Sequence, residues 1–363
     1  MNIICFIPNL EAGGAERQLT NLAILWKKRG HSVQFITYHC QVFYKDILDK
    51  NNIPVSQFIY KNKFVLVYKL YRFLNKKNID VVVSFLYTPN TIMGLLSFLP
   101  HKWKLFTSEL SFRENFNKGI RGKLLVYTQK HVNMLVANSD IGASLWTKKE
   151  PWISNKICTI YNPVMLGEIT NHDYIPLKNN KLHIVVAASY QELKNMKGLI
   201  SGVSLLTDQE KIKLRIDWYG NKYVGTVNTL AFEDALRSIK YQKLENIIYL
   251  NDPTIDIHNV MNSADVVALF SKFEGLPNAI CEGMMIGKPI IMTKVSDYNK
   301  LIGSENGKLC EWDNPESIRD AIRYFLNCTK EELYSMGRRS KEKAQVLFDS
   351  ELITNKWIDL FTK

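Results

Sequence analysis

Short apolar runs, rich in β-branched and aromatic residues, recur along this chain with helical patterns between them. Residues 2–8 (NIICFIP) read as a buried strand, and residues 15–29 as a helix with Leu19, Leu22, Ala23 and Trp26 at its apolar positions. Gly30 ends that helix and residues 32–38 (SVQFITY) begin the next strand. A strand–helix–strand order pairs its two strands in parallel through a crossover. The alternation continues, with strands expected at 81–85, 104–108, 134–138 and 157–161. A second series is expected at 183–188, 215–219, 247–250, 265–270 and 289–292. Between the two series, residues 165–180 are polar, contain Gly167 and Pro176, and read as a linker. The expected organisation is two α/β domains with parallel sheets, residues 1–170 and 171–345. In such folds ligands bind outside the carboxyl ends of the strands, here in a cleft between the domains.

The 363 residues suffice for two domains of ordinary size, and 46% hydrophobic with 23% charged content describes a globular protein. The opening MNIICFIPNL has no basic leader region. The longest apolar runs, such as residues 91–100, are too short to span a bilayer. The six cysteines are scattered without a C-x-x-C pair, as buried thiols of a reducing compartment would be. A cytoplasmic location is the expectation.

The formal charge of +12 is unevenly placed. Residues 1–180 hold 23 lysines and arginines against 11 acids, and the remainder holds 24 of each. A basic domain beside a neutral one suggests an anionic surface touched by only one domain, membrane or nucleic acid. A solvated, lysine-rich surface is the plainer alternative, but it does not predict the asymmetry. No nucleic-acid-binding motif is present, so an anionic membrane is the expected partner. Two clusters interleave cations with apolar residues. Residues 61–78 hold Lys61, Lys63, Lys69, Arg72, Lys76 and Lys77 beside Phe64, Tyr68, Tyr71 and Phe73, and residues 113–131 hold Arg113, Lys118, Arg121, Lys123 and Lys130. Leu66, Leu70 and Leu74, spaced by four, also suit a core helix.

Residues 271–284 (SKFEGLPNAICEGM) carry Glu274 and Glu282 with a glycine and a proline between them. A continuous helix would set the two acids about 80° apart, but Pro277 is tolerated only in a helix's first turn. Strand, loop and helix is the reading that fits, with the helix opening at Pro277 or Asn278 and ending near Gly287. A helix N-terminus attracts anions, so the stretch suits a ligand with phosphate and hydroxyl groups. Two more loops follow strands. Residues 9–17 (NLEAGGAER) place Gly13 and Gly14 where the first helix starts, without the G-x-G-x-x-G pattern of a nicotinamide-binding turn. Lys194 and Lys197 are expected at the start of the helix after strand 183–188, where a cation opposes the helix dipole unless it meets an anion. Taken singly, the first is an ordinary turn and the second a pair of solvated lysines.

Taken together, these elements resemble family 4 of the nucleotide-sugar glycosyltransferases, retaining enzymes of the GT-B fold. The shared residues are G-G-A-E-R (13–17), N-S (Asn138, Ser139), I-x-N (160–162) and K-N (Lys194, Asn195). They continue with S-x-x-E-G-L-P-x-x-x-x-E-G-M (271–284), G-K-P (287–289) and G-x-L (307–309). The resemblance runs in order over nearly the whole chain.

What it implies is two Rossmann-like domains facing across a cleft, the first binding the acceptor and the second the nucleotide-sugar, with a closing helix in 346–363, near residues 350–361, that crosses back to the first domain. Glu274 is then the catalytic acid of the family's E-x7-E pair, facing the donor sugar. Backbone groups of Gly275, Leu276, Pro277 and Asn278 hold sugar and diphosphate, and Glu282 accepts from the ribose hydroxyls. Lys194, with Asn195 beside it, neutralises the leaving diphosphate, and Gly13 and Gly14 approach it from the opposite wall. Positive groups are needed where charge develops on the leaving phosphate. No metal and no cofactor is expected. Two positions depart from the family: its usual arginine is Ser189 here, with Lys197 as the expected substitute, and S-E-H-S is SELS (108–111), with Leu110 for the histidine. The expected activity is hexosyl or N-acetylhexosaminyl transfer from a UDP-sugar to a lipid-linked saccharide in bacterial surface-polysaccharide assembly. The rivals are a non-catalytic sugar-nucleotide-binding subunit and a basic nucleic-acid-binding protein.

Overall fold

The expected strands form within two residues of their predicted bounds, and most of their residues are buried, as sheets covered by helices on both faces require. The computed structural model describes residues 1–11, 13–110, 115–166, 181–224, 227–228 and 230–363. Ser111, Arg113 and the 167–180 part of the expected linker lie outside the described residues. The first series comprises β1 (Asn2–Phe6), α1 (Gly14–Lys28), β2 (Ser32–Thr37), α2 (Lys45–Lys50), β3 (Val55–Gln57), α3 (Lys63–Lys76) and β4 (Val81–Phe85). It continues with α4 (Tyr87–Leu96), β5 (Lys104–Glu109), α5 (Gly119–Thr128), β6 (Met134–Ala137), α6 (Asp140–Lys149) and β7 (Ile157–Thr159).

The second series opens with β8 (Leu182–Ala187), α7 (Met196–Ser204), α8 (Asp208–Ile212) and β9 (Leu214–Tyr219). The antiparallel hairpin β10 (Tyr223–Val224) and β11 (Val227–Asn228) follows, then α9 (Leu230–Tyr241), β12 (Ile248–Asn251), α10 (Ile257–Ser263), β13 (Val266–Leu269) and α11 (Asn278–Ile286). It closes with β14 (Ile290–Thr293), α12 (Tyr298–Leu301), β15 (Gly307–Cys310), α13 (Pro315–Leu326), α14 (Lys330–Phe348) and α15 (Ser350–Thr362). The hairpin and the short strands β3 and β15 were not expected from the sequence.

The chain divides into two units: Met1–Pro163 with Asp349–Lys363, and Val164–Phe348. The first holds an all-parallel sheet in the order β3-β2-β1-β4-β5-β6-β7, the second one in the order β12-β9-β8-β13-β14-β15. Both reverse direction at their first strand, the doubly wound arrangement.

In the first unit α15 seals the sheet on the α1 side. Trp357 and Phe361 meet Trp26 edge-on at 5.7 and 5.3 Å, and Phe361 reaches Phe106 of β5 at 5.0 Å. Arg29 bonds Glu351 at 2.8 Å, and the Lys104 ammonium donates to the Phe361 carbonyl at 3.0 Å. Leu70 and Leu74 of α3 and Met93 and Leu96 of α4 share one core with Ile4, Phe6, Val82 and Leu105. α4 and α5 touch where Gly94 meets Thr128, close enough that a Cβ at Gly94 would sit 2.6 Å from that of Thr128. In the second unit α11 ends at Gly287, in the left-handed region at φ +95°, as the cap of a helix favours. There it meets α14, and a Cβ on Gly337 would come within 2.1 Å of the Gly287 carbonyl oxygen.

Candidate active site

β13 delivers the chain at Leu269 into a loop whose first residues, Phe270 and Ser271, are fully buried. The Ser271 carbonyl accepts from Thr293 Oγ1 at 2.6 Å, fixing the loop to β14. The Lys272 N–H donates to the Leu193 carbonyl at 2.8 Å, fixing it to the turn after β8. These two ties hold Glu274 in one place. Its Oε1 accepts from Ser271 Oγ at 2.6 Å and lies 2.6 Å from Lys194 Nζ. With their side chains only 12% and 19% exposed, Glu274 and Lys194 interact with less screening than a surface pair.

Gly275, Leu276 and Pro277 are buried beneath this cluster, and the Gly275 carbonyl accepts from Ser296 Oγ. Pro277 stands at the N-cap of α11 and supplies no side-chain cap. Asn278 opens the helix, and the Ile280 and Cys281 N–H groups donate to the Pro277 carbonyl at 2.9 and 3.1 Å. Glu282 lies a turn further on, 5% exposed, with an oxygen 3.5 Å from His258 Nε2 on α10. Burial, and next the Glu282 charge, hold the neighbouring Cys281 thiol well above its usual range.

Lys194 is not in the helix start where the sequence placed it. It ends a 3-10 turn (Glu192–Lys194), because Asn195 adopts the left-handed conformation, φ +60°, ψ +40°. Asn195 caps α7, accepting from the Gly198 N–H at 3.3 Å, and its amide donates to the Trp312 carbonyl at 2.7 Å. Lys197 sits in the first turn of α7, exposed, and joins none of the contacts around Glu274. The structure therefore does not pair it with Lys194. Ser189 accepts from the Gln191 amide at 2.8 Å and brings no cation.

Gly13 and Gly14 belong to the first unit, where Gly13 caps α1 with extended backbone. Leu110 offers its carbonyl to the Asn138 amide at 3.4 Å, and Ser139 caps α6. The site thus brings together Ser271, Glu274, Lys194 and the α11 N-terminus in the second unit. His258 was missed, since it lies 24 positions from Glu282 across a strand and carries no local signal.

Two doubly wound parallel sheets with this loop are the architecture of a GT-B glycosyltransferase. A family model described as Glycosyltransferase Family 4 matches residues 12–168, and one described as Glycosyl transferases group 1 matches residues 181–328. The chain belongs to family 4 of the glycosyltransferases. It is 27% identical to an uncharacterized glycosyltransferase of Haemophilus influenzae over 97% of both chains. A Staphylococcus aureus capsular polysaccharide biosynthesis glycosyltransferase, CapH, is 24% identical over 66% of each. Among solved structures, Anabaena HepE in complex with UDP superposes with a TM-score of 0.85 at 17% identity, covering all of both chains.

Proposed function

We propose that this glycosyltransferase moves a hexosyl or N-acetylhexosaminyl group from a UDP-sugar to a lipid-linked saccharide, with retention, in bacterial surface-polysaccharide assembly at the cytoplasmic membrane face. The second unit holds the donor and the first unit the acceptor. The observation that carries the reading is the Lys194–Glu274–Ser271 cluster beside the uncapped start of α11. An ammonium beside a helix N-terminus suits a diphosphate. Support for UDP comes from HepE, crystallised with UDP and with UDP-glucose. Support for the pathway class comes from the name of CapH.

In this reading Glu274, with Oε1 already held, turns Oε2 to a sugar hydroxyl, and Glu282 accepts from the ribose. The leaving diphosphate gains charge as the sugar–phosphate bond breaks, and Lys194 with the α11 dipole stabilises it. The reading assigns no step to a metal ion. Release of nucleotide from UDP-, GDP- and ADP-sugars tests it: the UDP-sugars should turn over. Glu274→Ala should then mainly lower kcat, and Glu282→Ala should mainly weaken donor binding, since the ribose does not change in the reaction. Binding of UDP-sugar with no turnover or hydrolysis would favour a non-catalytic subunit, the reading that Ser189 and Leu110 motivate.

A further inference from the structure

Helices α3, α4 and α5 contain no aspartate or glutamate, whereas Lys63, Lys69, Arg72, Lys76, Arg121 and Lys123 project from α3 and α5. The other helices of the first unit are mixed: Glu16 on α1, Asp46 and Asp49 on α2, Asp140 on α6, Glu351 and Asp359 on α15. α3 and α4 share one core, α4 meets α5 at Gly94, and Phe98, two residues past α4, stacks on Tyr127 of α5 at 5.3 Å. The three helices are therefore one continuous layer, and its cations have no acids beside them on those helices.

The same layer turns large apolar side chains to solvent. Phe64 is 85% and Ile120 88% exposed, and Tyr68, Leu99 and Leu124 are exposed as well. On α5, Ile120, Lys123, Leu124 and Tyr127 follow the three-and-four spacing of one stripe. That stripe borders a cavity of about 540 Å³ lined by Lys123, Tyr127, Lys130, Glu150, Trp152 and Lys156. The Glu150 carboxylate is already engaged by the Asn117 amide at 3.0 Å and the Trp152 indole at 3.1 Å. Lys156 donates to the carbonyls of Lys130 and Val132 at 2.7 and 3.4 Å. The Lys130 ammonium lies 5.3 Å over the Tyr127 ring. Neither Lys123 nor Lys130 pairs with a carboxylate among the described residues. The cavity thus offers Lys123 and Lys130, neither paired with a described carboxylate, and an aromatic wall beside exposed aliphatic side chains.

We propose that the α3–α4–α5 layer docks on a bilayer of anionic phospholipid, with Ile120 and Leu124 entering the headgroup boundary and one lipid phosphate seated between Lys123 and Lys130. Aromatic side chains favour that boundary, and basic ones are drawn to an anionic leaflet. A nucleic acid matches the charge but leaves the aliphatic side chains uncovered. The proposal deepens the reading of a lipid-linked acceptor and rests on it only for why docking serves the enzyme.

Co-sedimentation of the full chain with vesicles tests it. The protein should bind phosphatidylglycerol–phosphatidylcholine vesicles, release as sodium chloride rises, and ignore phosphatidylcholine alone. Lys123→Glu with Lys130→Glu should weaken binding at least about tenfold, and so should Ile120→Asp with Leu124→Asp. Lys28→Glu with Lys50→Glu, the same charge change on α1 and α2, should leave it intact. Melting temperature and UDP affinity, measured in each variant, separate lost docking from lost folding or a lost donor site. Equal binding to both vesicle types overturns the proposal. So does equal loss in the α1/α2 control, or salt-sensitive binding to single-stranded RNA with none to vesicles. Full donor turnover without vesicle binding would overturn the docking surface while leaving the transferase reading standing.

Discussion

Glu274 takes both of its bonds to the described residues, from Ser271 and Lys194, on one oxygen. Lys194 is then the cation that meets Glu274, whereas Lys197 is exposed in the first turn of α7. A hydrogen bond to a charged group contributes roughly 1.5–3 kcal/mol. Lys194→Ala should therefore lower UDP affinity by about one to two orders of magnitude. Lys197→Ala should change it by less than about twofold, as expected of an exposed charge. Isothermal titration with UDP decides, and equal losses in the two variants would restore Lys197 as an anchor. The glutamates were legible because a proline between them ruled out one helix. The position of Lys194 was not, because it depends on the left-handed Asn195, a conformation no spacing rule announces.

Lys288 offers a pH test. Burial lowers its pKa from 10.5 to about 8, with the Asp265 charge opposing. The folded chain gives up this proton before the unfolded chain does, so the residue makes stability rise with pH between about 8 and 10.5. Urea unfolding of wild type and Lys288→Met on either side of that window should show the difference shifting toward wild type, by at most about 1.4 kcal/mol per pH unit. A constant difference would mean that Lys288 is not buried as the structure has it.

At the scale of elements, the strands were readable because both faces of each sheet are covered, leaving apolar runs with little polar interruption. β3 and β15 escaped notice for a physical reason: one is Val-Ser-Gln at a sheet edge, and the other opens on Gly307. On α3 the leucines spaced by four, Leu66, Leu70 and Leu74, lie in the core, while Phe64 and Tyr68 are exposed. The contact between α11 and α14 was not visible at all, since it rests on two glycines fifty positions apart. The atom a new Cβ would strike there is a backbone oxygen, which cannot swing away. Gly337→Ala should cost about 1–3 kcal/mol through overpacking. Because α11 also carries Glu282, UDP affinity should fall with it. Thermal melting and UDP titration check both, and an unchanged melting temperature would contradict the packing described.

For the whole molecule, the two-unit division and the uneven charge were plain from the sequence, whereas the exact joins were not. The expected boundary near 170 lies at Pro163–Val164, and the return near 346 lies at Phe348–Asp349. No helix among the described residues is long and apolar enough to cross a membrane. Ending the chain at Phe348 would strip Trp357 and Phe361 from Trp26 and Phe106, all four buried. Limited proteolysis of that shortened protein should cut first within residues 1–163, and equal resistance to the full chain would argue against α15 as a structural part of that unit. The same arrangement sets an order in time. Residues 1–163 leave the ribosome early, but the helix that covers Trp26 follows only after residues 164–348 have been made. At roughly 5–20 residues per second, that delay is about 10–40 s, during which the nascent first unit carries an open tryptophan-lined face.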